Sequence, residues 1–207
     1  MFNVCPVCGE YAVEKAIDLT GPFAVCPRCG HRHRFVRLPL FLVTGASGAG
    51  KTAVGLRLGE RLPECVALES DILWRPEFNT PDDNYAAYRD LWLRVAKNVH
   101  QAGRPVVLCG SAVPEQFELR PERRYFADLH YLALVCRERV LAERLRARPA
   151  WRGVGGDAFV ERMVEFNRWL MDNVAATRPP MTLLDTSDLG VEDTAERVAA
   201  WVRTRLP

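Results

Sequence analysis

Residues 45–52 read Gly-Ala-Ser-Gly-Ala-Gly-Lys-Thr, and few octapeptides leave a chain so little choice of fold. The pattern is G-x-x-x-x-G-K-T. Before it lies an apolar run, Leu38-Pro39-Leu40-Phe41-Leu42-Val43, and after it Val54, Leu58 and Leu62 recur at four-residue steps. The run suits a buried parallel strand, and the recurrence marks one face of a helix. Strand, glycine-rich loop and helix together form the context in which this motif cradles phosphate. The glycines let successive backbone N–H groups turn inward around phosphate oxygens, and the helix adds its positive N-terminal end. Lys51 is placed to reach β- and γ-phosphates, and the Thr52 hydroxyl to ligate Mg²⁺. Gly45, Ser47, Gly48, Ala49, Gly50, Lys51 and Thr52 are the candidate phosphate-loop contacts.

The remaining chain alternates strand and helix signals. Cys65–Glu69, Pro105–Gly110, Leu129–Cys136 and Met181–Asp185 read as further short strands. Between them, Tyr85, Tyr88, Trp92, Val95 and Val99 mark one amphipathic helix. Arg137 to about Arg148 forms a basic helix, and Asp157 to about Ala175 another, with Met163, Phe166, Leu170 and Val174 inward. Val191, Ala195, Val198 and Val202 define a terminal helix. Five apolar strands separated by helices predict a doubly wound parallel α/β sheet. Pro149–Gly156 reads as a mobile loop.

Seven cysteines divide by position. Cys5-Pro-Val-Cys8-Gly9 and Cys26-Pro-Arg-Cys29-Gly30 repeat one unit, with 17 residues between Cys8 and Cys26. This is the spacing of a four-cysteine zinc site, in which each C-x-x-C turn aims two thiolates at one ion. Iron in a rubredoxin-like site is the chemical alternative. The intervening segment, centred on Thr20-Gly21-Pro22, reads as a β-hairpin. The whole piece resembles zinc-ribbon domains over residues 1–36, leaving 38–207 for the α/β domain. His31 and His33 are not needed as ligands once four thiolates are present. Cys65, Cys109 and Cys136 fall on strands and read as buried reduced thiols.

Phosphate binding does not name a reaction; the end of the second strand, Glu69-Ser70-Asp71, discriminates. In an extended chain residues two apart share a face, so both carboxylates would overlook the terminal phosphate at the carboxyl edge of the sheet. One suits Mg²⁺ through water; the other suits accepting a proton from an attacking hydroxyl. Asp71 as a helix cap is the plain alternative. Downstream, Trp74 and Phe78 suit stacking on an aromatic or sugar face, and Asp82 or Asp83 suits binding hydroxyls or an amine. Gly110 and Ser111 stand where close approach to a substrate is expected. Strand three ends in Cys109-Gly110-Ser111 without an aspartate, which weakens a motor-ATPase or GTPase reading. Arg120, Arg123 and Arg124 suit either an anionic acceptor or a solvated loop.

The loop at 45–52, the acidic-x-Asp of strand two and the arginine-rich segment 137–152 resemble the P-loop small-molecule and nucleotide kinases. That superfamily includes shikimate, gluconate and nucleoside monophosphate kinases and chloramphenicol phosphotransferase. The resemblance implies ATP-dependent phosphoryl transfer on a five-stranded sheet in order 2-3-1-4-5. Asp71 falls at the position of the substrate-hydroxyl aspartate, and Glu69 at that of the first aspartate of shikimate kinase. It further implies Arg144 beside adenine, Arg148 and Arg152 as phosphate-clamping residues of a lid at about 148–157, and adenine contacts near Asp185-Thr186-Ser187. Trp151 would be a latch on that lid or a surface anchor.

The expected function is transfer of the ATP γ-phosphoryl to a hydroxyl of a small molecule, with ATP, Mg²⁺ and structural zinc as cofactors. A nucleoside monophosphate kinase is the alternative within enzymes. A nucleotide-dependent nucleic-acid-binding or regulatory ATPase module, reading through Arg28, Arg32, Arg34 and Arg37, is the alternative from another class. The charge balance disfavours the latter. Net charge is +2, and residues 1–38 carry five Lys/Arg against three Asp/Glu, leaving 23 of each elsewhere. An even balance gives no general pull toward nucleic acid or anionic membrane. No apolar run reaches the length of a transmembrane helix and the first residues lack a signal-peptide pattern, so a cytoplasmic protein is expected.

Overall fold

The apolar run before the glycine-rich loop becomes the middle strand of a parallel sheet. In the computed structural model, which describes residues 3–149 and 156–207, the Cys-rich segment forms β1 (Ala16–Asp18), β2 (Phe23–Val25) and β3 (Arg32–Arg34). These pair antiparallel in order β1-β2-β3, with Asp18 opposite Phe23 across the anticipated turn at 20–22. Then follow β4 (Leu40–Gly45), α1 (Lys51–Arg61), β5 (Val66–Glu69), α2 (Ala86–His100), β6 (Val106–Cys109) and the short α3 (Glu115–Glu118). The chain continues with β7 (Leu129–Val135), α4 (Glu138–Arg146), α5 (Asp157–Asn173), β8 (Thr182–Asp185) and α6 (Val191–Arg203).

The second sheet runs β5-β6-β4-β7-β8, all parallel. Counted within that sheet the order is 2-3-1-4-5, as the kinase resemblance implies. Every residue of β4 is buried, which explains its unbroken apolar sequence: both faces are covered and no alternation is needed. Helices α1 and α6 cover one face through Val54, Leu58, Leu62, Ala195, Val198 and Val202, which join Phe41 and Val43 in one core. Tyr88, Trp92, Leu93 and Ala96 of α2, with Leu170 of α5, build a second core on Leu40 and Leu42.

Ala24 and Phe35 from the Cys-rich segment enter that second core directly. The three-residue strands β1–β3 are too short to enclose a core of their own, so their apolar residues are buried against the larger domain. Phe35 meets Tyr125 edge-on at 5.7 Å. No helix among the described residues is long and apolar enough to cross a membrane.

The periodicity of α5 conceals one polar residue that locks the sheet. Asn167 is fully buried, accepting from the Cys136 N–H at 3.2 Å and donating to the Cys136 carbonyl at 2.8 Å. The strand has ended there, so neither backbone group has a ladder partner, and the amide side chain supplies both. Asn167→Ala leaves two buried backbone groups unpaired and should cost about 1–3 kcal/mol. Thermal unfolding should show Tm lower by roughly 2–10 °C for a chain of this size; an unchanged Tm would remove this role.

Candidate active site

The loop after β4 is forced into shape by its neighbour. Gly45 has φ +150°, and a Cβ there would lie 2.5 Å from the Leu134 carbonyl oxygen of β7. Only glycine lets the chain leave the sheet this close to the adjoining strand. Lys51 Nζ donates to the carbonyls of Gly45 (2.8 Å) and Ala46 (3.0 Å), spanning the loop from inside. Burial pushes the Lys51 ammonium down to about 8, with Asp71 pulling the other way. Such a buried cation gains most from an anion set against it.

Gly48–Thr52, Glu69, Asp71, Gly110, Arg144, Arg148 and Thr186 line one cavity of about 820 Å³, a size suited to a small-molecule or cofactor site. The Thr52 hydroxyl donates to the Glu69 carboxylate. Thr52, Glu69 and Asp71 thus present a hydroxyl and two carboxylates, hard oxygen donors of the kind Mg²⁺ takes. At the end of β6, Cys109 stands where an aspartate would ligate metal in other phosphate-loop enzymes. Its thiol is fully buried and pushed up to about 12, so it stays neutral and offers Mg²⁺ nothing.

Glu69 and Asp71 reach the cavity by a route that differs from the expected alternation. β5 ends at Glu69, and Ser70–Leu73 is a 3₁₀ turn. Glu69 is its extended N-cap and makes no side-chain capping bond, so Asp71 projects from the turn itself. Three contacts hold that turn. Tyr88 Oη donates to the Ser70 carbonyl at 2.5 Å, and Ser70 Oγ donates to Asp71 Oδ1 at 3.2 Å. Gly110 packs so closely that a Cβ there would fall 2.0 Å from Ser70 Oγ, which makes glycine obligatory.

Arg144 donates to the Thr186 hydroxyl (3.2 Å) and carbonyl (3.0 Å), and Thr186 Oγ1 donates to the Val135 carbonyl. The arginine is thereby fixed at the end of the cavity where Leu189 and Val191 add apolar wall. Arg148 donates to Ser47 Oγ at 2.9 Å, placing a guanidinium against the phosphate loop. Arg152 and Trp151 lie outside the described residues.

Other expected residues stand elsewhere. Ser111 Oγ donates to the Gly45 carbonyl at 2.9 Å and buttresses the loop from behind. Trp74, 41% exposed, meets Tyr88 edge-on at 5.1 Å, and Phe78 packs against Tyr88 at 5.4 Å. Both belong to an aromatic wall around α2 and not to the cavity lining. Asp83 accepts from the Ala86 N–H at the start of α2. Arg120 pairs with Asp90, Arg123 with Glu118 and Arg124 with Glu14, so these arginines are engaged within the chain.

Sequence periodicity hides Arg89. It lies in α2, 5% exposed, with its guanidinium 5.2–5.5 Å from the ring centres of Tyr85, Tyr88 and Phe117. Nη2 donates to the Ser111 carbonyl and to Gln116 Oε1, while Nε has no partner among the described residues. Burial pulls its pKa down to about 10, opposed by Tyr88, Tyr85 and Asp71. The only sequence signal is a charged residue beside the buried-face positions Tyr88 and Trp92.

Across the molecule, the sulfurs of Cys5, Cys8, Cys26 and Cys29 all lie within 4.8 Å of one another. Each knuckle closes by a backbone bond, Gly9 N–H to Cys5 O and Gly30 N–H to Cys26 O, both 3.0 Å. Four converging sulfurs are the donor set of a tetrahedral thiophilic ion. Cys65, Cys109 and Cys136 are buried, and burial raises all three thiols.

An AAA-domain family model matches residues 42–154, more than half of the chain. No curated protein matches it. Among solved structures, a gluconokinase from Sinorhizobium meliloti 1021 is 20% identical with TM-score 0.54, covering 83% of this chain and 99% of its own. A shikimate kinase from Acinetobacter baumannii, in complex with shikimate, is 17% identical with TM-score 0.52, covering 83% and 96%. A sugar kinase from Janibacter sp. HTCC2649 is 17% identical with TM-score 0.50, covering 81% and 95%. At such identities the likeness is one of fold. The matched segment contains the phosphate loop, Glu69, Asp71, Gly110, Arg144 and Arg148, and the chain belongs to the AAA-domain family on the fold of the P-loop kinases.

Proposed function

We propose that the chain is an ATP- and Mg²⁺-dependent phosphotransferase that moves the γ-phosphoryl of ATP to a hydroxyl of a small molecule. One observation carries this reading: a half-buried lysine in a phosphate loop and a carboxylate on a braced turn face the same cavity. The kinase folds that the chain resembles support it.

The loop N–H groups and Lys51 hold the β- and γ-phosphates, and Arg144 with Thr186 borders adenine. Thr52 and Glu69 would hold Mg²⁺, whose charge offsets that of the phosphates, leaving Asp71 for the acceptor. An acceptor hydroxyl at Asp71 loses its proton to the carboxylate as its oxygen bonds to the γ-phosphorus. The bond from that phosphorus to the β,γ-bridging oxygen breaks, and ADP leaves with the electron pair. Lys51 and Arg148 stabilise charge on the moving group, and we assign Arg152 the same role. The pocket beside Asp71 is the acceptor site, with Gly110 on its floor. Trp74 and Phe78 contribute through Tyr88, which braces the turn carrying Asp71.

Arg89 is buried and outside the cavity lining, so it acts on the site only by holding the Ser111 backbone. A nucleoside monophosphate acceptor is the second reading. The module reading through a basic ribbon has less support, because Arg28 and Arg32 pair with Glu10 and Asp18. In this account residues 1–36 are a zinc-binding unit and 38–207 the kinase domain.

Asp71→Asn should retain ATP affinity and lose about 10²–10⁴-fold in turnover, measured as ADP formed in the presence of acceptor; unchanged turnover would remove Asp71 from the chemistry. Gly110→Ala should displace the Ser70 turn, lowering acceptor turnover while ATP affinity changes little. Equal losses in both would contradict the division of the cavity. The pH dependence has a definite sign. Lys51 is held near 8 by burial and would be held charged by phosphate, so ATP binding takes up a proton near and above pH 8, and affinity falls as pH rises through that range. Calorimetry in buffers of differing ionisation enthalpy should show this uptake; its absence in Lys51→Met would confirm the source.

A further inference from the structure

We propose that the ion held by the four cysteines sets the position of α2, and through it the acceptor half of the site, while leaving the nucleotide half unaffected. This rests on the kinase reading only for its functional consequence; the mechanical coupling stands on geometry.

The seam between the Cys-rich segment and the larger domain is polar and falls on the end of α2 and the turn at Pro121–Tyr125. It is buried at Asn3, Lys97 and Glu122 and exposed at Val36 and Gln101. Asn3, two residues before Cys5, accepts from the Ala12 N–H at 3.0 Å within the first knuckle. Its side-chain Oδ1 accepts from Lys97 Nζ of α2 at 2.7 Å. Lys97 and Glu122 form an ion pair, 2% and 1% exposed. A buried charge needs every partner it has, so Asn3 is a required member of that network. After the second knuckle, Val36 N–H donates to Gln101 Oε1 (2.9 Å) and Gln101 Nε2 donates to the Val36 carbonyl (3.2 Å). Between the knuckles, Tyr125 Oη accepts from the Lys15 N–H and donates to the Val13 carbonyl.

These contacts fall on the C-terminal part of α2 and the turn beside it. The N-terminal part of the same helix holds the acceptor side: Tyr88 grips Ser70 next to Asp71, and Arg89 grips Ser111. Eight residues of helix, about 12 Å, separate Arg89 from Lys97. A helix of this length moves as a rigid body, so a shift at one end reaches the other. The nucleotide side is packed mainly from the other face, its link to α2 running through Ser111, whose carbonyl Arg89 holds and whose Oγ reaches Gly45. Ala24 and Phe35 enter only the core of the α2 face, while α1 and α6 pack in the separate core on the opposite face.

The ion is the element that can change. Strands β1–β3 are three residues each and cannot hold the knuckles closed unaided. Cys29 is exposed and Cys8 half-buried, so the ion is within reach of solution ligands. Its loss would free Asn3 and Val36, the residues flanking the knuckles, from α2.

The test is hydrogen exchange on the full chain loaded with zinc, before and after removal of zinc by 1,10-phenanthroline. Exchange in 86–100 and 70–78 should quicken about tenfold or more, with 51–61 and 191–203 unchanged. Unchanged protection of α2, or equal loss in α1 and α6, would overturn the proposal. Asn3→Ala combined with Gln101→Ala provides a second arm that needs no stripping and keeps all four cysteines. That variant should hold one zinc per chain, show the same quickening in 86–100 and 70–78, and bind ATP within about twofold of the parent. With an accepted substrate it should raise acceptor KM and leave ATP KM in place. No change in α2, or a parallel fall in ATP affinity, would refute it. The exchange arm decides the coupling even if the chain transfers no phosphoryl group.

Discussion

Everything in this structure hangs on the passage of β4 into the phosphate loop beneath the edge of β7. Gly45 must turn within van der Waals contact of the Leu134 carbonyl, a position that admits no side chain. That turn is possible because β4 is the central strand, flanked by β6 and β7 and buried along its whole length. A loop leaving the centre of a parallel sheet emerges at its carboxyl edge, where the ends of β5 and β6 converge upon it. Glu69, Asp71 and Gly110 are brought to the loop by this topology. Lys51 is then buried against loop carbonyls, a cation set in a pocket shaped for anions.

The same central strand divides the molecule into two functional faces. On one, α1 continues from the loop and packs with α6 over the sheet. On the other, α2 carries Tyr88 and Arg89 toward Asp71, and its far end meets the Cys-rich segment where Lys97, buried in an ion pair with Glu122, donates to Asn3. Removing either partner of such a pair would leave an uncompensated buried charge, so the two are retained together. The Cys-rich segment therefore packs against the helix that holds the Ser70 turn, instead of hanging from the domain as an appendage.

What was legible in the sequence was what depends on local spacing. The phosphate loop, the two C-x-x-C knuckles and the apolar strand runs are each encoded within a few residues, so motif and periodicity suffice. The kinase resemblance added the strand order 2-3-1-4-5, which the structure reproduces. What escaped depends on distant partners. Asn167 sits in an ordinary amphipathic pattern, and only the end of β7 beside it explains an amide there. Arg89 looks like one more charge on a helix until Tyr85, Tyr88 and Phe117 close around it. Arg120, Arg123 and Arg124 looked available for a ligand until Asp90, Glu118 and Glu14 met them. The Glu69-Ser70-Asp71 reading reached the right cavity by a wrong local geometry, since Ser70 opens a 3₁₀ turn where an extended chain was assumed. Backbone turns of that kind are set by Tyr88 and Gly110 from elsewhere in the fold.

The central claim is that the cavity transfers a phosphoryl group to an alcohol. The most direct measurement is ³¹P NMR of the zinc-loaded chain with ATP-Mg²⁺ and a panel of hydroxylated acceptors, with and without anionic groups. The account predicts a new phosphomonoester resonance that grows in step with ADP for at least one hydroxyl-bearing compound. ADP accompanied only by inorganic phosphate, across every acceptor, would contradict it.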